Sequence, residues 1–139
     1  MTQEDKELLF KDLCARLPYN VICQVEFKEN GKYNSKVMLL SGIFTDEAYF
    51  TTKGGSIYSN EYKPYLFPLS SMTEEQYNEF FSYYHNIEMD AVKASGDYLK
   101  AAYIGDDAKY SWLNKNHFDY RGLIEKSLAL DATNLGIYE

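Results

Sequence analysis

The chain is poor in the residues that build reaction centres, staples and membrane spans. It holds two cysteines, two histidines, three prolines and one tryptophan in 139 residues. Cys14 and Cys23 have no C-x-x-C spacing and no Cys or His neighbours to complete a zinc set, so no metal is expected. Both are read as buried, small apolar residues in a reducing cytoplasm. The longest aliphatic runs, such as Val37 to Leu40, are about four residues, far short of a membrane span. The opening Met1-Thr2-Gln3-Glu4-Asp5 shows neither the positive start nor the apolar run of a signal peptide. No G-x-S-x-G elbow, Walker phosphate loop or G-x-G-x-x-G fingerprint occurs, so no cofactor is indicated.

Positive charge is also scarce. Residues 1–64 carry eight basic and nine acidic side chains, residues 65–106 two and seven, and residues 107–139 four and five. The net charge is −7, and most of it lies in the middle segment. No stretch is basic, which argues against a grip on nucleic-acid phosphates.

What is abundant is tyrosine, 14 residues beside eight phenylalanines. Tyr buries a large ring and leaves a polar tip in need of a partner, so a Tyr-rich core edge is expected, with an adhesive surface as the alternative. The length fits one domain over residues 1–139, with a helix-plus-sheet part to about residue 70 and a helical part from residue 71.

Local signals sketch an α+β fold. Thr2 caps a first helix with Asp5 in its first turn, and Phe10, Leu13, Cys14 and Leu17 form its apolar stripe. Pro18 stops it. Val21, Cys23, Val25 and Phe27 alternate with more polar residues as a strand. The return strand, Tyr33 to Leu40, has two possible registers. A two-residue Asn30-Gly31 loop sets Val25 opposite Lys36. A three-residue loop sets Phe27 opposite Tyr33 and Cys23 opposite Val37, and burial favours that one. Gly42 bends or ends the return strand, and Ala48–Thr52 and Ser56–Ser59 are further strands. The sheet, about residues 21–66, is expected to be small, antiparallel and curled or barrel-like. Lys63-Pro64-Tyr65-Leu66-Phe67-Pro68 reads as its closing connector.

Thr73 to Gln76 reads as a capping box, with Ser71 to Glu74 as the alternative, for a helix running to about Lys93. Ser95-Gly96-Asp97 breaks it. Shorter helices are expected over Tyr98–Ile104, stopping at Gly105, over Asp107–Asn116, and over Tyr120–Leu130, where Gly122 allows close helix contact, with Thr133 to Glu139 fraying.

The densest chemistry lies in Ser111 to Gly122, which holds the only Trp and one His. His117 is placed at a helix end, Asp119 at the next N-cap, and Arg121 within reach of Glu125. No residue is assigned a catalytic role. Trp112, His117, Tyr120 and Arg121 are the candidate binding residues, because Trp, Tyr and Arg dominate interface energetics. His85 and Glu88 lie three apart on a helix, too little for a metal without further ligands.

Three blocks carry a resemblance: Asp12 to Tyr19, Lys63 to Glu75, and Trp112 to Lys126. They are similar to a group of small uncharacterised proteins of gut Bacteroidales and their phages. Phe67 stands where that group more often has a basic residue, and Asn116 where a second His is common. The resemblance implies a cytoplasmic, bacterial or phage-borne accessory protein and brings no site residues. The expected function is non-catalytic binding of a protein partner. The rivals are a small hydrolase or transferase using His117 or His85 as a base, and a nucleic-acid-associated small barrel.

Overall fold

A computed structural model describes the whole chain, Met1 to Glu139. The elements run α1 (Gln3–Arg16), β1 (Ile22–Glu29), β2 (Lys32–Ile43), β3 (Ala48–Thr52), β4 (Gly55–Ser59), β5 (Glu61–Pro68), α2 (Glu74–Ser95), α3 (Tyr98–Lys115), β6 (Phe118–Asp119) and β7 (Leu130–Asp131). The architecture is α+β: an N-terminal helix, a curled sheet, and two long helices. The sheet follows the order β4-β3-β2-β1-β5-β6, with β7 also on β5. It is mixed, because β6 and β7 both run parallel to β5.

Helix ends follow the capping chemistry. Thr2 and Asp5 form a reciprocal box at the start of α1, and Thr73 and Gln76 do so at α2. Gly96, at φ 68°, ends α2 in a left-handed turn, and Asp97 caps α3.

The β1–β2 hairpin takes the two-residue loop, against the expectation from burial. Val25 faces Lys36 and Phe27 faces Asn34. Asn30 and Gly31 sit at φ 53° and 78°, the pair of left-handed conformations that a tight Asn-Gly hairpin requires. Val37 to Leu40 is apolar on both faces, so periodicity could not choose, and turn chemistry did. Met38 and Leu40 point into the core while Tyr33 and Val37 are exposed. At Ser41 the β2–β3 ladder skips a residue, and Gly42 follows it, bending the strand as expected.

The proline-flanked segment is a strand rather than a connector. Glu61 to Pro64 pairs with β1, whereas Tyr65 and Leu66 pair with β7, and Phe67 and Pro68 with β6. Pro64, with no N–H to offer, stands where β5 exchanges partners, which lets proline occupy an inner strand.

Three helical expectations change. Tyr98 to Lys115 is one helix, and Gly105 lies inside it. A Cβ there would stand 2.7 Å from Glu88 Oε2 and 3.1 Å from Glu88 Cβ, so this glycine serves α2–α3 contact and does not end a helix. No helix follows Tyr120. Gly122 and Ser127 adopt φ 73° and 60°, and the segment coils into turns. The C-terminal stretch does not fray, because Tyr138 is anchored to the sheet.

The main core joins Leu9 and Leu13 of α1 to Val21, Cys23, Val25, Met38, Leu40, Phe50 and Leu66 of the sheet and to Leu123, Leu128 and Ala129 of the turns. The buried stripe of α1 is Leu9, Asp12, Leu13 and Arg16. Phe10 and Cys14, expected inside, are exposed, while Cys23 is buried. The helix is rotated from its expected apolar stripe, so that the Asp12–Arg16 ion pair is buried beside Leu9 and Leu13.

Candidate functional site

The block from Ser111 to Gly122 is divided between interior and surface. Trp112 is buried. Its ring lies 5.2 Å from that of Phe80 on α2 and stacks on Phe118 at 5.8 Å. It therefore seats the base of α2 against the sheet-side residues Phe67 and Phe118. Asn114, also buried, accepts the Tyr120 hydroxyl at 2.8 Å.

His117 follows the C-cap of α3, at φ 63°. Its ring stacks on Tyr138 with centroids 3.7 Å apart. It is buried, and its Nδ1 has no hydrogen-bond partner. Burial, with the Arg16 guanidinium as a second cause, lowers its pKa from 6.5 to about 4, so the ring is neutral at physiological pH. The Tyr138 hydroxyl accepts from Ile22 N at 3.0 Å and donates to Tyr65 O at 2.7 Å. Burial raises its pKa above the ordinary tyrosine value.

Tyr120 and Arg121 belong to a charged cluster that the sequence did not reveal. Asp12 Oδ2 accepts from Arg16 Nε at 2.7 Å and its Oδ1 from Arg121 Nε at 3.1 Å. Arg16 Nη2 donates to Phe118 O at 2.6 Å. Both guanidinium groups also approach the Tyr120 ring, Arg16 at 5.1 Å and Arg121 at 5.0 Å from its centroid. Arg121 thus meets Asp12, more than a hundred residues away, and not Glu125, which is exposed. Asp119 caps backbone as expected, although of a turn: Leu123 N and Ile124 N donate to its carboxylate at 3.0 and 2.9 Å. Asp12 and Arg16 stand four apart in the favourable acid-before-base order, which was the readable signal for their pairing. Nothing local announced Tyr138.

Of the four candidate binding residues, the fold brings Tyr120 and Arg121 to one open groove of about 640 Å³, shared with Lys11, Tyr19, Asp107 and Tyr110. Trp112 and His117 lie away from it; His117 borders the groove beside the C-terminal stretch. Neither histidine side chain has a hydrogen-bonded carboxylate or nucleophile. His85 is on exposed helix surface, stacked on Phe81 at 5.2 Å, and Glu88 folds over Gly105. No group of three His, Cys, Asp or Glu side chains converges to hold a metal. No helix is long and apolar enough to cross a membrane.

A further apolar surface lies elsewhere. α2 is 22 residues long and none is buried. Its inner side, Phe80, Tyr84 and Ile87, is only half-covered, while Ala101, Gly105 and Ala108 of α3 are buried against it. Small residues on one helix let the two axes approach closely. Of seventeen exposed large apolar side chains in the protein, nine lie between Tyr77 and Tyr110, so this hairpin carries more than half of them. Tyr98, Leu99 and Tyr103 are each about three-quarters exposed.

The fold and surface thus define an α+β protein with a charged, well-knit body and a projecting aromatic hairpin. No protein family matches the chain, and no curated protein or solved structure is significantly similar to it.

Proposed function

We propose that this is a non-catalytic module that binds another protein in a reducing cytoplasm, as an accessory of bacterial or phage origin. The observation that carries the reading is the α2–α3 hairpin. Its exposed Tyr, Phe, Leu and Met side chains stand far from the body's core, and a lone soluble domain gains nothing from displaying them. Large apolar side chains at such a surface are the ordinary anchors of protein interfaces. Within the sequence-derived set, Tyr120 and Arg121 extend the same surface at the root of α3, through Tyr110, whose ring lies 5.1 Å from Tyr120. Trp112 and His117 support it from inside. Origin in gut Bacteroidales or their phages rests on the three resembling blocks alone.

A photo-crosslinking residue placed at Tyr103, and as a control at the exposed Tyr33 of the sheet, tests the reading in the native host. A discrete protein adduct at position 103 and none at 33 is expected. Adducts to nucleic acid alone, or no adduct at 103 despite soluble full-length protein, would overturn it.

A further inference from the structure

The hairpin also indicates what kind of partner it fits. Between Glu74 and Asp107 the chain holds eight carboxylates and two lysines. Tyr77, Phe81, His85 and Met89 follow one another at four-residue spacing and form one line along α2. All four are exposed. On α3, Leu99 and Tyr103 make a second line, followed one turn later by Asp106 and Asp107. Asp106 meets Lys109 at 3.3 Å, and that pair is open to solvent. Leu99, Tyr103, Asp106 and Asp107 all lie on the side of α3 turned away from Ala101, Gly105 and Ala108, which pack on α2.

Resting on the protein-binding reading above, we infer that the hairpin receives a basic amphipathic helix of another protein, laid along this outward side of α3. Shape and charge both select this occupant. The 18-residue α3 offers a ridge about 27 Å long, enough for a helical partner of similar length. Apolar residues of the partner would cover Leu99 and Tyr103, while flanking Lys or Arg meet Asp97, Asp106 and Asp107. A second copy of this chain is the poorer fit, since it would bring another eight carboxylates to an already anionic surface. Phosphate-bearing nucleic acid meets the same repulsion.

The probes are two synthetic helical peptides of about 18 residues. Both have the same Leu spacing, one with Lys and the other with Glu at the polar positions. Titrated against the full-length protein, the Lys peptide should bind in the micromolar range and the Glu peptide at least about tenfold more weakly. Raising salt from about 0.05 to 0.5 M should weaken the Lys peptide by about tenfold. The double variant Leu99→Ser/Tyr103→Ser should lose about tenfold in affinity with an unchanged circular dichroism spectrum. Equal binding of both peptides, or binding untouched by the double variant, would overturn the basic-helix proposal while a Tyr103 adduct in the host would still uphold protein binding. Sedimentation showing a dimer that the double variant dissolves would instead assign the surface to a second copy. Absence of peptide binding together with absence of any adduct would remove both readings.

Discussion

The body and the hairpin handle their side chains in opposite ways. α1, with 14 residues, buries four of them, two of which are charged, and every one is held by the sheet or by Arg121 and Phe118. α2, with 22 residues, buries none and leans on α3. The body accepts the cost of desolvating Asp12 and Arg16 because hydrogen bonds from distant chain segments offset it. The hairpin leaves apolar rings in water. Burial is therefore concentrated in the body, and the proposed binding surface lies mostly on the part least tied to the core.

Breaking the body should have the largest effect. Asp12→Ala strands two guanidinium groups, one of them fully buried, and is expected to cost about 3–5 kcal/mol in urea unfolding. Gly105→Leu should act on the hairpin instead. The new side chain meets Glu88, and a packing loss of about 1–3 kcal/mol is expected there. Hydrogen exchange should accelerate across α2 while Cys23 and Val25 amides stay protected. Equal acceleration in both regions would show that body and hairpin unfold as one unit.

His117 lies at the junction, and pH separates its contribution. Its folded pKa is lowered to about 4 against 6.5, so the unfolded chain binds its proton first as pH falls. The stabilisation is complete above pH 6.5 and is lost as pH drops from there towards 4, with a slope of at most about 1.4 kcal/mol per pH unit. His117→Asn keeps a residue that tolerates positive φ and should remove this component. A wild-type minus variant difference that stays flat over that window would contradict it. The smallest effect belongs to Leu99→Ser/Tyr103→Ser. Both side chains are 79% exposed, so the unfolding midpoint should change by no more than about 0.5 kcal/mol, in contrast to Asp12→Ala.

The parts of the fold legible in sequence were those with short-range causes. The Thr2 cap, the Thr73–Gln76 capping box, the Gly96-Asp97 break, the alternation of β1, and strands near Ala48–Thr52 and Ser56–Ser59 follow from neighbouring residues. Gly105 and Gly122 misled because glycine marks either a turn or a close approach, and only the neighbouring chain decides which. The two glycines did one of each. The candidate site was partly legible for the same reason. Tyr120 and Arg121 were marked by residue type, but Asp12, Arg16 and Tyr138 enter through contacts that span much of the chain.

By itself, then, the sequence determined where helices start, which segments are extended, and that negative charge gathers in the middle of the chain. Each is a property of residues within a turn or two of one another. Tertiary structure alone decided that a proline-bearing segment would be an inner strand, that the C-terminal tyrosine would lock onto the sheet, and that one aromatic helix would be left uncovered. Those outcomes depend on which distant backbone groups and rings find each other, and burial is settled only when all of them compete for the same interior.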